Sequence, residues 1–189
     1  MTWHSLSECV WASGTKIEGR ISIASEYDDL RQFFVETLRV QPVDLQMIYD
    51  SLLEVSSKQT PVSRVKDLLQ DFSSFVAKEN NPPKPSELLR RRVFPVRKPN
   101  GNVILYSSQE EFVIVDREGP FGSFKNKVKC LDFSLQDVCR LQPFIAWAGL
   151  EARYLSRCVE EFSRIESGIE MPISETRRDL KTKAHALLR

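Results

Sequence analysis

Apolar positions fall into helical stripes in the first half of the chain and into short extended runs in the second. Residues 17–23 alternate apolar and polar side chains through Ile17, Ile21 and Ile23, which predicts a short half-buried strand after the loop at Ser13, Gly14 and Thr15. Ser25 is placed to cap a helix whose apolar positions Leu30, Phe33, Phe34 and Leu38 recur at helical spacing. Pro42 and Asp44 open a second helix carrying Leu45, Ile48, Tyr49, Leu52 and Leu53. A third starts with Thr60 as cap and Pro61 in the first helical position, and its stripe is Val62, Val65, Leu68, Leu69, Phe72 and Phe75 or Val76.

The helical pattern stops at 80–85, where Pro82, Pro83 and Pro85 lack amide donors and hold their predecessors extended. Beyond it Ser86 caps a short helix through Leu88 and Leu89. Three β-branched or aromatic runs follow, at 92–97, 102–106 and 112–116, and turn chemistry at Lys98, Pro99, Asn100 and Gly101 separates the first two. They read as an antiparallel meander, to which Val128, Lys129, Cys130 and Leu131 add a fourth strand. Ser134 then caps a helix containing Leu135, Val138, Leu141, Phe144 and Ile145, with Pro143 dividing or kinking it and Gly149 ending it. The last segment is helical in propensity and ends on Leu187, Leu188 and Arg189 without a cap, so it reads as an element that continues elsewhere.

These elements predict an α+β protein. Its parts are residues 1–24 with a short strand, a helical part over 25–79, a Pro-rich connector over 80–85, a small antiparallel sheet packed with helices over 86–165, and a C-terminal helix over 166–189.

Composition narrows the chemistry. The chain has 189 residues, 41% of them hydrophobic, which suffices for one sizeable core. Its net charge of +1 gives no long-range field toward nucleic acid or an anionic membrane. No apolar run approaches the ~20 residues of a membrane span, and no secretory leader is recognisable, so an intracellular protein is expected. Cys9, Cys130, Cys139 and Cys158 form no CxxC pair, and His4 and His185 lie near opposite ends. That spacing predicts no metal site and no Ser–His or Cys–His dyad. With no GxGxxG and no GxxxxGK[ST], no phosphate cradle or cofactor is expected either.

Three groups remain as candidates. Trp3 and Trp11, in a weakly patterned N-terminus, are potential partner anchors. Arg90, Arg91 and Arg92 form the densest positive run, extended by Arg97 and Lys98; beside Glu87 they read as a helix C-terminus favoured by its dipole more than as a nucleic-acid contact. Asp116, Arg117 and Arg153 are the residues around which an enzyme or accessory protein would build a pocket.

Two blocks carry a family likeness. One is the apolar pattern Tyr27, Leu30, Phe33, Phe34, Val35, Leu38 and Val40; the other runs from Phe94, Pro95 and Val96 through Phe112, Val113, Ile114, Val115 and Asp116 to Leu150, Tyr154, Leu155 and Ser156. Together they resemble the downstream, non-catalytic region of very large fungal proteins that carry a histidine-kinase-like (GHKL) ATPase domain, distant relatives of sacsin and the plant NO VEIN protein. The sequence departs from that pattern at Arg39, where a glycine is commoner, and at Arg117, where a second acidic residue often follows. The ATP-binding motifs are absent, so the resemblance implies a module without ATPase activity and carries over no catalytic residue. The expected function is a non-enzymatic protein-interaction or scaffold module whose partner is another protein, engaged through Trp3, Trp11 or the C-terminal face with Leu187 and Leu188. The alternative is an accessory protein or enzyme with a pocket near Asp116 and Arg153.

Overall fold

A computed structural model describes residues 4–58, 60–117 and 127–159. Trp3, Leu187 and Leu188, and the C-terminal helix expected over 166–189, lie outside the described residues.

Helices α1 (Leu45–Lys58) and α2 (Val62–Val76) form the helical layer. Asp44 caps α1 as its position predicts, its Oδ1 accepting from the Met47 amide at 2.8 Å. Thr60 does not cap α2: Pro61 occupies the capping position, where it has no hydroxyl to offer, and Thr60 Oγ1 is buried without a hydrogen-bond partner among the described residues. The apolar stripe of α2 is fully covered at Val65, Leu68, Leu69 and Phe72. It packs against α1 and against the sheet and helices of the second half, so α2 is the spine of the core.

The chain from 80 to 85 is a surface loop leading to α3 (Ser86–Arg90), but the packing does not divide there. One cluster runs from Leu45 through Phe72 to Phe94, Phe144 and Leu150. The loop is tied to that core by two aromatic side chains whose polar atoms reach out of it. Tyr49 Oη donates to the Lys84 carbonyl at 2.9 Å and Trp147 Nε1 to that of Pro83 at 2.8 Å.

The sheet has three strands, with β3 (Phe94–Arg97) between β4 (Val103–Tyr106) and β5 (Cys130–Leu131), both antiparallel to it. The expected meander is therefore corrected at its third member. The free edge of β3 is taken by Cys130 and Leu131, and residues 112–116 lie one position further out. There Val113 exchanges bonds with Lys129 and Leu131, and Ile114 with Arg153 and Leu155, all at 2.8–2.9 Å. Burial on both faces accounts for the apolar run Phe112, Ile114 and Val115.

Ser134 caps α4 (Leu135–Arg140) as expected, accepting from the Asp137 amide. Pro143 does divide the helix, and α5 (Gln142–Trp147) begins anew. The break is closed by Ser73 of α2, fully buried, whose hydroxyl donates to the Arg140 carbonyl at 2.8 Å and accepts from the Phe144 amide at 3.2 Å. Gly149, at φ +66, stops α5 with the Leu150 amide bonded back to Ile145 at 3.0 Å. A single turn, α6 (Leu155–Cys158), follows.

The N-terminal layer has its own small cluster of Cys9, Trp11, Ile23, Ala24 and Val40, flanked by Phe34, Val35 and Leu38. Strands β1 (Cys9–Val10) and β2 (Ile21–Ser22) pair in parallel; the strand expected over 17–23 is cut to two residues by a turn at 18 and 19. The helix expected after Ser25 is irregular. It comprises a 3₁₀ turn, Asp28–Leu30, and a π-helical turn, Phe33–Thr37, in which the Leu38 amide bonds to Phe33 O at 3.0 Å.

Candidate functional site

The pocket residues expected from sequence are placed on one ladder but are engaged with different partners. Asp116 caps α6: Oδ1 accepts from the Ser156 amide at 3.0 Å and Oδ2 from the Ser156 hydroxyl. Burial pushes the Asp116 carboxyl up, and these bonds outweigh it and hold the group below the usual carboxylate range. Arg153 donates to the carbonyls of Glu110, at 2.8 Å, and Ser108, and its guanidinium lies 4.4 Å from the Phe112 ring centre. It also lines an open cleft of about 520 Å³ with Glu111, Phe112, Val113, Lys127 and Lys129. Asp116 is not in that lining, and Arg117 is exposed. Arg153 thereby clamps the loop at 108–110 to the sheet.

Arg90, Arg91 and Arg92 are exposed at the end of α3, and glutamates sit beside them. Arg91 lies 3.8 Å from Glu87 and Arg92 3.6 Å from Glu110. Arg97 does not extend this run, because it turns to Asp132, which it shares with Lys66. Lys66 Nζ approaches Asp132 Oδ2 at 2.5 Å and Arg97 Nε approaches Oδ1 at 2.7 Å. Burial raises the Asp132 pKa, but the two cations overcome that and keep it below the usual range. Arg91, Arg92 and Arg97 are thus divided among three separate acids. Among the described residues no His, Cys, Asp or Glu side chains converge on a metal-binding group, and no helix is long and apolar enough to cross a membrane.

Trp11 is corrected as an exposed anchor. It is 6% exposed, its backbone bonds to Gln41 and Val43 lock it to the segment entering α1, and its ring lies against Phe34. The exposed apolar surface lies beside it, and two of its residues, Leu30 and Phe33, belong to the helical stripe expected after Ser25. Tyr27, Leu30 and Phe33 are 47%, 48% and 48% exposed, three of the five large apolar side chains left open among the described residues. Tyr27 and Phe33 both lie against Phe34, with ring centres at 5.0 and 5.6 Å. One spacing signal was available: positions 27, 30 and 33 recur every three residues, and the first two bracket the 3₁₀ turn. A 3.6-residue reading hides this by grouping Leu30 and Phe33 with Phe34 and Leu38.

The described residues define an α+β domain with a helical spine, a three-stranded antiparallel sheet and an appended N-terminal layer. Over residues 46–159 the chain matches the model of the family described as "Domain of unknown function (DUF8348)", and it belongs to that family. No curated protein and no solved structure matches it. The family match covers the helical spine and sheet, whereas Tyr27, Leu30 and Phe33 precede it.

Proposed function

We propose that the chain is a non-enzymatic protein-interaction module whose contact surface is the Tyr27, Leu30 and Phe33 face. The observation that carries this reading is the concentration of uncovered large apolar side chains on one short segment whose backbone is held by its own bonds. Burying such a cluster gains ~25 cal/mol per Å² of apolar surface, and its ordered backbone reduces the entropy lost on binding. The likeness of this segment and the later sheet to the region downstream of a GHKL ATPase domain supports the same reading, a module serving a larger assembly.

A photo-cross-linking amino acid in place of Leu30 tests it in native extract, with the same group at exposed Asn100 as control. A discrete protein adduct at position 30 and none at 100 is the expected result. Equal labelling at both positions, or none, removes the face as a contact surface.

A further inference from the structure

The charges around the open face identify the partner's chemistry. Glu26, Asp28, Asp29 and Glu36 are all exposed and interleave with Tyr27, Leu30 and Phe33. Among the described residues none of the four makes an ion pair; Glu36 accepts only a hydrogen bond from Gln32, at 3.1 Å. Arg31 and Arg39 are the cations of this stretch, so the acids outnumber them four to two on a chain whose overall charge is +1. An apolar centre inside an acidic rim is complementary to an apolar stripe flanked by lysine or arginine.

The backbone narrows the form of that stripe. Leu30 N donates to Tyr27 O at 2.8 Å and Leu38 N to Phe33 O at 3.0 Å, so this segment offers no open strand edge to extend. Recognition must run through side chains, as when an amphipathic helix lays its apolar positions onto a hydrophobic surface. A second copy of the chain would bring acidic rim against acidic rim about a two-fold axis, and an anionic lipid surface would be repelled by the same carboxylates. Resting on the docking reading above, we infer that this face receives a cationic amphipathic helix of another polypeptide.

The test uses the full chain and two fluorescent amphipathic peptides, each about 18 residues long to sustain helicity, with identical leucine stripes. One carries lysines on its flanks and the other glutamates, and fluorescence anisotropy reads binding. The lysine peptide is expected to bind at least about tenfold tighter than the glutamate peptide, a preference that weakens as salt screens the rim. Leu30→Ser with Phe33→Ser is expected to weaken lysine-peptide binding about tenfold or more without moving the thermal melt. Asp28→Asn with Asp29→Asn is expected to narrow the preference between the peptides. Equal binding of both peptides, lost in the Leu30 and Phe33 variant, overturns the cationic partner while leaving the docking face in place. Lysine-peptide binding that survives both double variants, or no binding of either peptide, overturns the inference outright; cross-linking from position 30 still decides the docking reading separately.

Discussion

Phe72 and Phe33 are the same side chain in opposite situations. Phe72, on α2, is fully buried, with Phe144, Trp147 and Tyr49 ring centres at 5.9, 4.8 and 6.2 Å. Phe33, on the N-terminal layer, touches Phe34 and is 48% exposed. The contrast follows from what each layer has to pack against. A helix at the centre of a domain is covered by a second helix, a sheet and a third helix. A short irregular turn at the edge can bury only one row, here Phe34, Val35 and Leu38, and the row carrying Tyr27, Leu30 and Phe33 is left for something else. Aromatic content alone therefore does not separate scaffold from surface; the number of layers over a residue does.

The comparison is broken most sharply by truncation in the spine. Phe72→Ala opens a cavity beneath three other rings, and a loss of about 3–5 kcal/mol is expected in urea unfolding. Phe33→Ala in the same assay is expected to change stability by less than about 0.5 kcal/mol, as for an exposed site. Comparable losses at the two positions would mean that the N-terminal face is part of the folding core.

Two buried polar positions, Ser73 on α2 and Asp132 after β5, rank next. Ser73→Ala removes the acceptor of the Phe144 amide and the donor to Arg140 at the α4–α5 break; about 1–3 kcal/mol is expected, because the buried Phe144 amide is left desolvated without a partner. Asp132→Asn strands Lys66 and Arg97. The carboxylate side chain is only 9% exposed, but Arg97 is 54% exposed and can return to water, so a cost of about 1–3 kcal/mol is expected at neutral pH. Because the folded protein holds the Asp132 pKa below its unfolded value, protonation favours the unfolded chain. The gap between wild type and Asp132→Asn is then full above the ordinary aspartate pKa of about 3.9 and closes as pH falls through the lower folded-state value. A gap that widens in acid would contradict the assigned ion pairs.

Much of this fold was legible in the sequence wherever one local signal sufficed. Asp44, Ser134, Pro143 and Gly149 each act within a few residues of themselves, and α1, α4 and the α5 boundaries follow from them. What stayed hidden depends on distant partners. Nothing near Cys130 tells that it takes the edge of β3 ahead of the more apolar run at 112–116. Nothing near Ser73 tells that it will serve a helix break 71 residues away. The open face is hidden for a related reason: a helical stripe groups Phe33 with Phe34, whereas in the π turn Phe34 lies against Trp11 and Phe33 stays outside.

The smallest expected effect sharpens the comparison from the backbone side. Arg39 follows the π turn at φ +58, in the left-handed region that a side chain with a Cβ occupies at a cost of about 1 kcal/mol. Its conformation is held by the Val40 amide bonding back to Phe34 O at 2.9 Å, the contact that seats Val40 under Trp11 and Phe34. Arg39→Gly relieves that strain and also frees the unfolded chain, so the net gain is expected to be at most about 0.5–1 kcal/mol. Arg39→Ala keeps the strain and is expected to leave the melt near wild type. A rise in stability for Gly without one for Ala locates the strain in the backbone that carries the open face. Equal rises would instead trace it to the arginine side chain, and the turn would then be an unstrained platform for Tyr27, Leu30 and Phe33.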